Sequence, residues 1–242
     1  MPFSNVRSAE SEGKMQSINV QEAEILREFI GEDIFAFEKL RRFRALMVRY
    51  SCAVREVRTK FEVLNEELTC RAGRNPIESI VSRIKEPMSI AAKLKRLGKP
   101  LTIESISESL NDVAGIRVIC SFIDDIYRVA DMLAQQDDIT VVAVKDYIRK
   151  PKLNGYRSYH MIVEVPVFFS DGKKLTRVEI QLRTVAMDFW ASLEHTMKYK
   201  KESADRPEIA AELKSCAEVI AATDARMQNL RLRIEALEKQ NI

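Results

Sequence analysis

Hydrophobic positions along this chain change period several times, and each change marks an element. From Phe37 the apolar residues Leu40, Phe43, Met47, Tyr50, Val54, Val57, Phe61, Leu64 and Leu68 settle into alternating steps of three and four. This is the stripe of one long helix that begins near Asp33 and stops before Gly73. At ~1.5 Å per residue it would run roughly 55 Å, enough both to cover the chain's own sheet and to meet another subunit. A shorter stripe, Val20, Ala23, Leu26 and Ile30, predicts a helix that Gly31 terminates. Period two takes over from Pro76 to Lys85, with Ile80 and Ile84 on one face of a strand and Val81, Arg83 and Lys85 on the other. Pro87 suits the first turn of a helix that runs through Leu97 to Gly98 and Pro100.

Asn111 to Cys120 reads as a mostly buried strand with Arg117 the single charge inside its apolar run. Asp124 is expected to cap a helix with Ile126, Val129, Ala130 and Leu133 inward, and Ile139 to Ile148 is β-branched and strand-like. A strand from Ser158 to Phe169 returns with Met161, Val163, Val165, Val167 and Phe169 on one face, and Ser170 to Lys173 turns it into the next. There Val178, Ile180 and Leu182 face the core, while Arg177, Glu179, Gln181 and Arg183 form a polar row on the opposite face. Thr184 to Lys200 predicts a helix with Val185, Phe189, Leu193 and Met197 inward and Trp190 and His195 nearby. From Pro207 a last helix repeats Leu213, Ile220, Met227 and Ile234 at one heptad position and Cys216, Thr223, Leu230 and Leu237 at another. That pattern serves oligomerisation or packing on the chain's own long helix equally well.

Composition narrows the class. The chain has 242 residues, 46% of them hydrophobic, which suits one substantial core with flanking helices. A net charge of +3 with 31% charged residues excludes a globally basic coat, so any anion site must come from local clustering. The four cysteines form no CxxC pair, and they read as free thiols of a reducing, cytoplasmic compartment. No run approaches the ~18 apolar residues of a membrane span, and residues 1–18 lack a signal peptide's apolar core and read as a disordered tail. Only His160 and His195 are present, with no HExxH, so a zinc hydrolase is hard to build.

The chemistry concentrates in Lys145 to His160, KDYIRKPKLNGYRSYH. Its cations, the Asn154-Gly155 turn and three tyrosines offer what a nucleotide needs: positive charge, exposed N–H groups and a flat face on which a base gains ~1–3 kcal/mol by stacking. A solvated hairpin loop with its tyrosines tucked inward has the same composition. Arg83, Lys85, Lys93 and Arg96 could converge where strand passes into helix and hold a triphosphate, or they form a solvated basic face. Asp112 at a strand end is a natural Mg²⁺ ligand and equally a turn residue. Ion pairs on a wet sheet would explain Glu179 and its neighbours as well as catalysis does.

Four of these segments stand in an order that resembles the synthetase domain of the RelA/SpoT-like enzymes, which make guanosine tetra- and pentaphosphate, and in particular the small alarmone synthetases. They are Arg83-Ile-Lys85 with Ser89 and Lys93 to Arg96, Asp112 to Val118, Lys145 to His160, and Val178 to Thr184. The resemblance covers about residues 76–201, leaving N-terminal helices at 19–75 and an oligomerisation helix at 202–242. It implies an α/β (α+β) fold, a nucleotidyltransferase-like mixed sheet flanked by helices, and transfer of the β,γ-pyrophosphate of ATP to the 3′-hydroxyl of GTP or GDP with release of AMP. Arg83, Lys85, Ser89, Lys93, Arg96 and Arg117 would then bind ATP. Lys145, Lys152, Asn154, Tyr156, His160 and Gln181 would bind the guanosine nucleotide, with Tyr156 stacked on the base. Asp112 and Glu179 would hold Mg²⁺, and Glu179 would act on the 3′-hydroxyl proton.

Leu153 stands where the family commonly has proline, and Tyr159 where it has an aliphatic residue; neither departure removes a reactive group. There is no His-Asp dipeptide, the mark of the hydrolase domain of larger relatives, and no ribosome-sensing domain, so synthesis without hydrolysis or ribosome docking is expected. The resemblance also implies a homotetramer, and leaves open a separate allosteric site for alarmone or RNA. A non-catalytic nucleotide- or RNA-binding module would use the same loop without needing Asp112 or Glu179. A nucleotidyltransferase would release pyrophosphate instead of AMP.

Overall fold

The computed structural model describes residues 36–72, 74–200 and 207–240. The expected tail and the short helix over Val20–Ile30 lie outside the described residues. The long stripe forms α1 (Ala36–Ala72), followed by β1 (Ile77–Ile84), α2 (Pro87–Arg96), α3 (Ile103–Ser109), β2 (Ala114–Cys120) and α4 (Ile123–Ala134). Then come β3 (Thr140–Asp146), β4 (Tyr159–Phe169), β5 (Gly172–Thr184), α5 (Val185–Lys200) and α6 (Pro207–Gln240).

The five strands form one mixed sheet in the order β1-β2-β5-β4-β3. Only the central β2 and β5 are parallel, and the other neighbours are antiparallel. A parallel pair needs a crossover, and the long excursion through α4, β3 and β4 supplies it. One face of the sheet lies under α1, whose Phe43, Tyr50, Val54, Val57, Phe61, Leu64 and Leu68 are buried with Val163, Val178, Ile180 and Leu182 in a single core. The stripe thus mainly covers the chain's own sheet, although Phe37 at its start is exposed.

Several sequence expectations shift. The seven-residue α3 was not foreseen: Thr102, its N-cap, accepts a hydrogen bond from Ser105 N, and Ile106 plugs the core. Asp124 is not a cap. Phe122 holds that position without a side-chain bond, and Asp124 instead pairs with Arg231 of α6. On α5 the inward face is Met187, Trp190 and Ala191, while Val185, Phe189 at 58% exposure, Leu193 and Met197 face outward. Trp190 sets the phase, because burying the largest side chain also lets its indole N–H donate to the Leu213 carbonyl of α6 at 2.9 Å. On α6 the first half packs inside the molecule, with Leu213, Ala217 and Ile220 against Trp190 and Tyr156. Met227, Leu230, Ile234 and Leu237 remain exposed.

Candidate functional site

The open face of the sheet, away from α1, carries the polar row of β5. Parallel register sets Glu179 beside Gly115, and Gln181 beside Arg117. Gly115 leaves room for the Arg83 side chain, since a Cβ there would lie 3.2 Å from Arg83 Nε. Arg83, Arg117, Glu179 and Gln181 therefore line one recess. A larger adjoining cleft of about 420 Å³ is lined by Lys93, Asp112, Lys145, Tyr147, Lys152, His160 and Glu179. Glu179 lies in both.

At one wall Asp112 stands just before β2 and receives Lys85 at 3.0 Å and Lys93 at 2.6 Å. Burial pulls its carboxyl upward, but the two ammonium groups outweigh that and hold it below the ordinary carboxylate range. Both lysines address Oδ2, and Asp112 Oδ1 is buried with no hydrogen-bond partner. A buried anionic oxygen without a partner is costly unless something else fills its coordination. Of the remaining basic residues foreseen at this wall, Arg83 lies 3.9 Å from Glu179. Ser89 and Arg96 are exposed on α2 and do not line the cleft.

The other wall is the loop between β3 and β4. Asp146 closes its start by accepting from the N–H groups of Ile148 and Arg149, and Asn154 Oδ1 accepts from Tyr156 N at 3.2 Å. Asn154 Nδ2 donates to Glu194 at 3.1 Å, so this residue shapes the loop and ties it to α5. Gly155 has φ 88°, and a Cβ there would strike Ala217 of α6 at 2.5 Å. The final helix thus braces the loop. Lys152 Nζ lies 4.7 Å from the Tyr156 ring centre and 4.8 Å from that of Tyr147.

His160 sits between the walls, paired with Lys145 on β3 and Gln181 on β5. Burial, then the charges of Arg183, Lys152 and Lys145, push its imidazole down to about 3. The ring is neutral, so its 3.8 Å approach to Glu179 through Nδ1 is a polar contact and not an ion pair. Arg183, expected in the wet row, is instead buried at 5% exposure. It donates to Tyr156 OH at 2.7 Å, Gln181 Oε1 at 3.0 Å and Asp188 at 2.8 Å. Asp188 also lies 3.4 Å from Arg117, whose own pKa is lowered by burial and by Arg183. Sequence reasoning placed Arg183 in the polar row of its strand and gave it no role; the cue was a basic residue at a strand end, between Leu182 and Thr184.

Two walls of opposite chemistry, basic with a carboxylate on one side and aromatic with lysines on the other, face each other across one cleft on a mixed sheet. A family profile described as "Region found in RelA / SpoT proteins" matches residues 82–204. The chain is 43% identical over 186 residues to the GTP pyrophosphokinase YwaC of Bacillus subtilis, covering 77% of this chain and 89% of that one. It is 35% identical over 195 residues to YjbM of the same organism, also named a GTP pyrophosphokinase, with 81% and 91% covered. Among solved structures, small alarmone synthetase 2 of Bacillus subtilis matches with a TM-score of 0.72 and 41% identity over 79% of this chain and 98% of that one. Small alarmone synthetase 1, bound to its product pppGpp, matches with 0.73 and 36% over 79% and 97%. The chain belongs to the RelA/SpoT family, and its fold is that of the small alarmone synthetases.

Proposed function

We propose that this protein is a GTP pyrophosphokinase that transfers the β,γ-pyrophosphate of ATP to the 3′-hydroxyl of GDP or GTP. The observation that carries this reading is the placement of Asp112 and Glu179 on one cleft, between a basic wall and the Tyr156 loop. The 3′-oxygen forms a bond to the β-phosphorus, the bond from that phosphorus to the α,β-bridging oxygen breaks, and AMP leaves with that oxygen.

Negative charge spreads over the group in flight, so positioned cations supply most of the stabilisation. Lys85, Lys93, Arg83 and Arg117 are the cations on the ATP side. Tyr156 takes the guanine, which displaces the Lys152 ammonium from the ring toward the acceptor's phosphates. Glu179 orients the 3′-hydroxyl and accepts its proton.

The unpartnered Asp112 Oδ1, with Glu179 on the same cleft, fits a hard divalent cation that takes its other oxygens from phosphates and water. When bound, Mg²⁺ neutralises phosphate oxygens and orients the attacked phosphorus. We further infer a cytoplasmic homotetramer, its contacts supplied by the outward apolar residues of α5 and α6.

The test resolves nucleotides by anion exchange after incubation with Mg²⁺, ATP and GDP or GTP. AMP should appear in step with guanosine tetra- or pentaphosphate, and Glu179→Gln and Asp112→Asn should each lose at least about 100-fold. Full activity in either variant contradicts the assignment of that carboxylate.

A further inference from the structure

Glu179 is reached by two side-chain chains, one closing on Oε2 with a hydrogen bond and the other approaching Oε1 at a longer polar distance, and both end on one guanidinium. Gln181 Nε2 donates to Glu179 Oε2 at 2.9 Å, and the Oε1 of that same Gln181 accepts from Arg183 Nη2 at 3.0 Å. On the other side His160 Nδ1 faces Glu179 Oε1 at 3.8 Å, and His160 Nε2 meets Tyr156 OH at 2.9 Å. Tyr156 OH in turn accepts from Arg183 Nη2 at 2.7 Å. The Arg183 N–H can only donate, so the phenol oxygen accepts from it; the arrangement in which the phenol O–H donates to His160 Nε2 leaves the ring protonated on Nδ1, the nitrogen facing Glu179, and this is the tautomer assigned to His160.

We propose that Arg183 is a positioning residue that fixes the reactive carboxylate through Gln181, so that the tyrosine taking the acceptor base and the Glu179 facing its hydroxyl share one anchor. Arg183 is suited to this. It is buried, its Nη1 is anchored on Asp188 at 2.8 Å, and its Nη2 divides between the two arms. A lysine carries the charge but not the fork that spans three acceptors at fixed angles. The consequence is that seating of the base on Tyr156 and aim of Glu179 are coupled, and that Arg183 acts without touching either substrate. This inference rests on the pyrophosphokinase reading for its kinetic half only.

Kinetics test it through Tyr156→Phe, which keeps the stacking ring and removes the hydroxyl, and Arg183→Lys, which keeps the charge. Each should lower kcat about 10-fold or more, with the acceptor KM of Tyr156→Phe within about twofold of wild type. The double variant should fall little further than Arg183→Lys alone, because both cut the same arm. Circular dichroism first establishes that each variant is folded. Nitrogen-15 NMR of the imidazoles provides a readout independent of turnover, and only two histidines need be resolved. Wild-type His160 should show a protonated Nδ1 and a bare Nε2 that accepts a hydrogen bond, and Tyr156→Phe should lose that bond. Folded variants with unchanged kcat, or an Nε2-protonated His160 in the wild type, overturn the proposal. An inactive wild type with the Nδ1-protonated ring would instead leave the shared anchor standing and remove the pyrophosphokinase reading.

Discussion

Under the proposed function Tyr156 joins recognition to chemistry, its ring offering a stacking face while its hydroxyl accepts from Arg183, which also donates to the Gln181 that bonds Glu179. Truncating it to alanine removes both. Tyr156→Ala should raise the acceptor KM by a factor equivalent to ~1–3 kcal/mol and also lower kcat, with little change in the KM for ATP. His160 gives the pH signature. Unfolded, an imidazole titrates near 6.5, whereas in the fold it is pushed down to about 3. Between these values the unfolded chain binds more protons, so stability is full above about 6.5 and is lost as pH falls through the window. Denaturant midpoints should drop from pH 6.5 to 5, and His160→Gln should flatten that slope. At this scale the sequence displayed the candidate groups well: both carboxylates with Lys93, Lys145, Lys152 and His160 line one cleft, and Tyr156 stands in the loop at its edge. It could not display Arg183's role, since a bond network depends on distances between strands, and Asn154's tie to Glu194 depends on where α5 lands.

At the level of elements, legibility followed the strength of the period. All five strands announced themselves, β1, β4 and β5 through alternation, β2 through its apolar run and β3 through β-branched residues, and α1 through an uninterrupted stripe. The short α3, rich in Ser and Glu, has too few apolar positions to set a phase. The face of α5 was misread because two apolar sides compete, and a hydrogen bond to α6, visible only in three dimensions, decides between them. The same helix α6 braces the acceptor loop at Gly155. Gly155→Ala should cost about 1–3 kcal/mol, from positive φ and the collision with Ala217, and should weaken acceptor binding more than ATP binding. Chemical denaturation with parallel KM measurements checks both. Below the sheet, Arg74 makes a two-pronged contact at 2.7 Å with Asp125, which is 1% exposed. Arg74→Ala leaves that carboxylate buried and unpaired, and should lower unfolding free energy by about 3 kcal/mol with the chemistry of the cleft intact.

For the whole molecule, relatives of this chain are named GTP pyrophosphokinases, and under the proposed function the open face of the sheet holds two nucleotides, one toward the basic wall and one toward the aromatic wall. Among the described residues no helix is long and apolar enough to cross a membrane, and the four cysteines are free. In the proposed homotetramer the outward apolar residues Val185, Phe189 and Leu193 of α5, with Met227 and Ile234 of α6, would supply the contact area. Light scattering at micromolar concentration should report four chains, and Phe189→Glu with Met227→Glu should reduce the mass; a wild-type monomer contradicts the tetramer. The central claim is which bond of ATP breaks, and a phosphorus label in the β position of ATP reads it directly. With GDP and Mg²⁺ present, pyrophosphoryl transfer carries that label onto the guanosine product and leaves the AMP unlabelled. Label released as pyrophosphate would mean nucleotidyl transfer, label retained in ADP would mean transfer of the γ-phosphoryl alone, and either result would contradict the account.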